Sequence, residues 1–81
     1  MLFELGPDKR FYGVYRGVCL ATDDPENLGR LKLKVPQVSG DASTNWCPSC
    51  VDPSFKVEPG DGVWVMFEGG DPNFPVWLGT F

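Results

Sequence analysis

Two cysteines at CxxC spacing, Cys47-Pro48-Ser49-Cys50, are the residues whose types and spacing most directly suggest chemistry, either metal ligation or thiol exchange. A closed zinc site needs four ligands, and the sequence has no His and only one further Cys, Cys19, so a usual set exists only if two chains share a site. Thioredoxin-like exchange places its first Cys at a helix N-terminus beside a βαβ unit, and the flanking residues predict neither. Three Cys is an odd number in a sequence with no secretory signal, which argues against a disulfide framework. The thiols read as small packing residues, and no metal or cofactor is expected.

Without His, general acid and base work falls to paired carboxylates: Asp23 with Asp24, Glu58 with Asp61, and Glu68 with Asp71. Each pair lies in or beside a predicted turn, where an Asp side chain accepts hydrogen bonds from nearby backbone amides. A glycosidase needs two carboxylates on opposite sides of a cleft, one of them in an apolar setting, and a small barrel has little room for that. The sequence therefore predicts no enzyme.

Arg30, Lys32 and Lys34 form a basic face on one strand, and Trp64, Trp77 and Phe74 are aromatic groups of the kind that stack nucleic-acid bases. The balance of seven basic against eleven acidic residues, a net charge of −4, opposes that reading, because proteins that hold phosphate backbones carry a clustered positive excess. No nucleic-acid partner is expected. A single-strand-binding protein remains the alternative reading, with a sugar-binding version of the same scaffold behind it.

The elements that must position these residues are short strands. Residues 12–21 form a strand with Val14, Arg16, Val18 and Leu20 on one parity and Tyr15, Gly17, Cys19 and Ala21 on the other, apolar on both faces, with Gly17 as a place to bend. After the turn-rich Thr22-Asp23-Asp24-Pro25-Glu26-Asn27-Leu28-Gly29, read as a solvated loop, residues 30–36 alternate cleanly, with Leu31, Leu33 and Val35 against Arg30, Lys32 and Lys34. A polar connector over residues 37–45 leads to a short irregular strand at residues 46–51, anchored by Trp46. Residues 52–58 read as loop, with room for one helical turn between Pro53 and Pro59.

Pro59-Gly60-Asp61-Gly62 then turns into a strand with Val63, Val65 and Phe67 opposite Trp64, Met66 and Glu68. A hairpin through Gly69-Gly70-Asp71-Pro72-Asn73-Phe74 returns as a fifth strand from Pro75 to Thr80. Ten Gly and eight Pro are dispersed as turn punctuation. Five strands and no long helical period predict an all-β, five-stranded Greek-key barrel of the oligonucleotide/oligosaccharide-binding (OB) type, with residues 1–11 as an N-terminal extension and 12–81 as one domain.

Trp64 and Met66 cannot share the core with Val63, Val65 and Phe67, so they need cover from outside the barrel. Either a partner protein supplies it, or residues 52–58 do so through Phe55 and Val57. Phe74 at the hairpin tip and Phe81 at the end of the sequence are further candidate docking residues. The expected interface is therefore Trp64, Met66, Phe74 and Phe81.

The ordered set Tyr15-Arg16-Gly17-Val18, Asp24-Pro25-Glu26-Asn27-Leu28-Gly29-Arg30-Leu31-Lys32-Leu33-Lys34-Val35-Pro36-Gln37-Val38, Trp46, and residues 59–79 from Pro59-Gly60-Asp61-Gly62 to Trp77-Leu78-Gly79 resembles the N-terminal OB domain of contractile-phage baseplate spike proteins and of type VI secretion spikes. The resemblance covers residues 12–80. It implies a structural protein of the tail baseplate in the virion that acts by protein–protein assembly with hub or spike proteins. It also implies a homotrimer, although family trimers draw on a β-helix needle that this sequence does not contain. Family spikes usually continue into that needle or a peptidoglycan-cleaving domain, so a fragment of such a hydrolase is a further alternative.

No run reaches the roughly 20 apolar residues that span a bilayer, and Met1-Leu2-Phe3-Glu4-Leu5-Gly6-Pro7 lacks the features of a signal peptide. Synthesis in a host cytoplasm without a membrane anchor is expected.

Overall fold

The computed structural model describes residues 10–50 and 56–81. Among these, β1 (Tyr15–Ala21), β2 (Lys32–Lys34), β3 (Gly62–Phe67) and β4 (Pro75–Thr80) form an antiparallel sheet in the order β2-β1-β3-β4. β1 is the hinge of the sheet. Its first half pairs with β3 from Tyr15 to Val18, and its second half pairs with β2 from Val18 onward.

The expected fifth strand, Pro75–Thr80, is β4, whereas the short strand expected at residues 46–51, third in chain order, is not continuous, so the regular strand count is four rather than five. Residues 43–50 nevertheless occupy its place between the two sheet edges. Leu31 with Cys47 and Lys34 with Ser43 make antiparallel bridges on the β2 side, and Ser49 makes a parallel bridge to Trp77 of β4. The Trp77 amide donates to the Pro48 carbonyl and the Cys50 amide to the Trp77 carbonyl, both at 3.0 Å. Pro48 has no N–H, which interrupts a regular ladder at the point where the segment changes partner. The barrel is thereby closed by single bridges, in the antiparallel and parallel sense that a five-stranded OB barrel requires.

The core follows the strand parities. Cys19 of β1, Leu31, Leu33 and Val35 around β2, Val63, Val65 and Phe67 of β3, Cys47 and Trp77 are all buried. Trp77, weighed above as a base-stacking residue, is instead among the largest fully buried side chains and is unavailable for stacking. In β1 the inward parity is Tyr15, Gly17 and Cys19, while Val14 and Leu20 are exposed. Gly17 serves close approach: a Cβ there would lie 3.0 Å from Val65 Cγ2 and 3.3 Å from the Lys34 carbonyl. The irregularity in β1 comes later, between Cys19 and Ala21, where the register shifts.

A single helical turn, α1 (Pro36–Ser39), sits in the stretch expected to be a connector. Proline opens it and Gly40, at φ 61°, ends it, an arrangement in which the missing proline N–H costs nothing and glycine adopts the left-handed backbone. Of the loop read as having room for a helical turn, residues 52–55 lie outside the described residues, as does the end of the expected strand at Val51. Val57 is half-buried and packs against the core.

Candidate assembly interface

Period-2 alternation in β3 sends Val63, Val65 and Phe67 inward and leaves Trp64 and Met66 on the outer face. Register decides what they meet. Trp64 stands opposite Arg16 of β1 and Gly79 of β4, and Met66 stands opposite Val76. The absent side chain at Gly79 and the returning chain at Phe81 give Trp64 its neighbour: the Trp64 and Phe81 ring centroids are 4.8 Å apart. The Phe81 ring lies directly over Gly62, where a Cβ would fall 2.5 Å from it, and the Phe81 amide donates to the Gly62 carbonyl. Arg16 completes the group, its guanidinium carbon 5.3 Å from both ring centroids, a geometry in which each ring attracts the cation.

The four expected interface residues thus occupy two ends of one hairpin. Trp64 and Phe81 are in contact near the start of β3. Met66 (39% exposed) follows Trp64 on the same face and borders an apolar groove of about 300 Å³ lined by Pro48, Cys50, Val76 and Leu78. Phe74 (56% exposed) stands beyond the Phe67–Pro75 pair, at the opposite end from Phe81 (59% exposed). A strand rise of about 3.4 Å per residue separates the two ends by roughly 17 Å. Trp64 itself is half-buried beneath Phe81 and Arg16.

The hairpin tip is held from below. A 3-10 turn at Glu68–Gly70 and the Asp71 carboxylate, which accepts from the Asn73 amide at 3.0 Å, shape the loop. Ahead of β1, the Phe11 amide donates to the Gly70 carbonyl at 2.8 Å, and the Phe11 ring packs with Tyr15 and Phe67 at centroid distances of 6.1 Å. Tyr12 lies over Gly70, and Arg10 pairs with Asp71 at 3.6 Å.

The loop between β1 and β2 contains the charged centre that sequence reasoning missed. Asp24 was read as part of a solvated turn and Arg30 as part of a solvated basic face. In the structure the Asp24 side chain is only 2% exposed, and Arg30 grips it with two charge-assisted bonds, Nε at 2.9 Å and Nη2 at 2.8 Å. The amides of Glu26, Leu28 and Arg30 donate to the same carboxylate. The Arg30 guanidinium, with these amides, holds the Asp24 carboxyl well below the usual carboxylate range, and Asp24 in turn raises Arg30. The turn role expected for the aspartates is seen here and at Asp61, which accepts from the Glu58 amide.

The other basic residues of that strand are engaged as well. Lys32 lies 5.2 Å above the Trp46 ring, and Lys34 pairs with Asp41 at 3.8 Å. The CxxC pair divides between two environments: Cys47 is in the core and Cys50 is exposed. Burial pushes the Cys47 thiol up to about 12, and burial also raises Cys19, so neither forms a thiolate at neutral pH. No group of His, Cys, Asp and Glu among the described residues is arranged to hold a metal ion.

A small antiparallel barrel in the order β2-β1-β3-β4, closed by the bridges of residues 43–50, fits an OB domain. The sequence profile of the type VI secretion system/phage-baseplate injector OB domain matches residues 15–81, and the chain belongs to this family. The family is one of structural baseplate and spike domains, which gives the chain a coarse role as an injector component. Comparison with curated proteins gave no match.

Proposed function

We propose that this domain is a structural part of the tail baseplate in a virion, made in the host cytoplasm, and that it works by docking to a hub or spike protein. The observation that carries this reading is the hairpin β3–β4, which leaves Met66 and Phe74 exposed and has exposed Phe81 just beyond its end, apolar surface that a partner protein can cover. Assembly, not catalysis, is the activity. In support, Asp24, Asp61 and Asp71 of the acidic pairs are each bonded into turns, and two of the three thiols are buried. Nucleic acid fits poorly, since Arg30, Lys32 and Lys34 each have a partner within the chain.

Light scattering over a range of concentrations, with the chain alone and with the hub protein encoded beside it, tests the reading. A homotrimer or a stoichiometric hub complex is the expected result. A monomer that ignores the hub protein at micromolar concentration would refute it.

A further inference from the structure

We propose that Arg16, set against the Trp64–Phe81 ring pair, is the point at which a partner protein lays a carboxylate, so that the outer face of β1 and β3 recognises an acidic side chain beside an apolar one. The inference rests on the docking reading and names the chemistry of its contact. Arg10, Arg30 and Lys34 are each in an ion pair, whereas Arg16, Lys32 and Lys56 are in none of those among the described residues, and of these three Arg16 is the one guanidinium. Arg16 is exposed, and its guanidinium carbon lies 5.3 Å from each of two ring centroids.

Contact with two rings restricts the side chain before a partner arrives, and a restricted guanidinium loses less entropy when its N–H donors meet a carboxylate. Trp and Arg are also the residue types over-represented where interfaces concentrate their binding energy, and rings that exclude water strengthen a charge-assisted bond beside them. The partner chemistry follows from charge. A single guanidinium on this face suits one carboxylate, whereas a nucleic-acid backbone needs several cations in a row.

The test has two arms. In the first, the Arg16 Nε–Hε resonance of the full chain is followed by NMR during titration with a short blocked peptide containing Glu next to Phe, with its Gln counterpart, and with a thymidine oligonucleotide. The Glu peptide is expected to move the resonance at millimolar concentration while the Gln peptide does not. No movement, equal movement with both peptides, or stronger binding of the oligonucleotide would overturn the proposal.

In the second arm, Arg16→Lys keeps the charge but loses the fork, and is expected to weaken the hub complex about tenfold with the thermal midpoint unchanged. Gly62→Ala, whose Cβ displaces the Phe81 ring, is expected to weaken it by a smaller factor. Unchanged hub affinity in Arg16→Lys sinks the proposal while the docking reading stands. A chain that binds no hub protein at all counts against the docking reading, and the peptide arm then decides the role of Arg16.

Discussion

The β1–β2 loop and the β3–β4 hairpin loop are both Gly- and Pro-containing, and each is organised around one aspartate, yet they solve different problems. In the first, Asp24 is buried and takes five hydrogen bonds, two from Arg30 and three from backbone amides. In the second, Asp71 makes one backbone bond and a longer pair with half-exposed Arg10, while Phe74 beside it projects into solvent. A buried carboxylate is tolerated only when its lone pairs are filled, so the first loop must be rigid for the fold to stand. The second is held mainly by backbone and ring packing, which leaves its side chains free to meet something else. On the docking proposal, stability and assembly fall to separate loops.

Asp24→Ala is the sharpest way to break the comparison, and the largest effect in the series is expected from it. The substitution orphans the Arg30 guanidinium and three amides at once, and should give the lowest thermal and denaturant midpoints of any variant discussed. Arg30→Lys, which retains charge but loses the two-pronged grip, should fall between Asp24→Ala and the unaltered chain. Thiol labelling gives an independent readout. Cys50 should react at once, while Cys19 and Cys47 should react only as the barrel opens, and faster in Asp24→Ala.

The same pair sets an acid limit. The Asp24 carboxyl is lowered in the folded chain, so its contribution is fully present above the ordinary carboxylate value, near pH 4, and is lost as pH falls toward its folded value. Acid unfolding monitored by Trp fluorescence should steepen below about pH 4, and Asp24→Asn should flatten that limb. An unaltered acid limb in Asp24→Asn would assign the limit to other groups.

That centre was the least legible part of the sequence. Asp24-Pro25 and Gly29-Arg30 have the composition of any solvated turn, and only the folded loop reveals that one carboxylate collects five donors. By contrast, the alternation of Leu31, Leu33 and Val35, and of Val63, Val65 and Phe67, could be read directly, because a strand with one buried face writes its parity into the sequence. Residues 43–50 were harder. They exchange partners at Pro48, so their pairing depends on two edges far away in sequence. The turn α1 was overlooked although Pro36 and Gly40 bracket it, and the Arg16 cluster was invisible because cross-strand neighbours follow from register alone. The inward position of Trp77 is not legible for the same reason, since composition does not say which side of a closing strand faces inward.

A middle-sized effect is expected where the second loop is anchored. Gly70 has φ 76°, and a Cβ there would lie 2.7 Å from the Tyr12 ring and 3.1 Å from Arg10 Cβ. Gly70→Ala should therefore cost about 1–2 kcal/mol through backbone strain and displacement of the segment ahead of β1. Proteolysis of that segment should accelerate in parallel with the drop in denaturant midpoint. A neutral result would mean that the hairpin keeps its shape without residues 10–12.

The smallest stability effects belong to the exposed hairpin residues, and these make the strictest test of the division between the loops. Met66→Ala and Phe74→Ala remove side chains that contribute little to the core, so each should change stability by no more than about 0.5 kcal/mol. If the hairpin is the docking element, each should nevertheless weaken a hub complex measurably, by about tenfold for a side chain worth more than roughly 1 kcal/mol at the interface. Asp24→Asn, measured where it is still folded, should do the reverse and leave hub affinity intact. Were Phe74→Ala to lower the midpoint as far as Asp24→Ala does, the two loops would share one structural task and the case for docking through the hairpin would lose its footing. Loss of hub binding at unchanged stability has no explanation in folding, because the only property those variants alter is the surface they present.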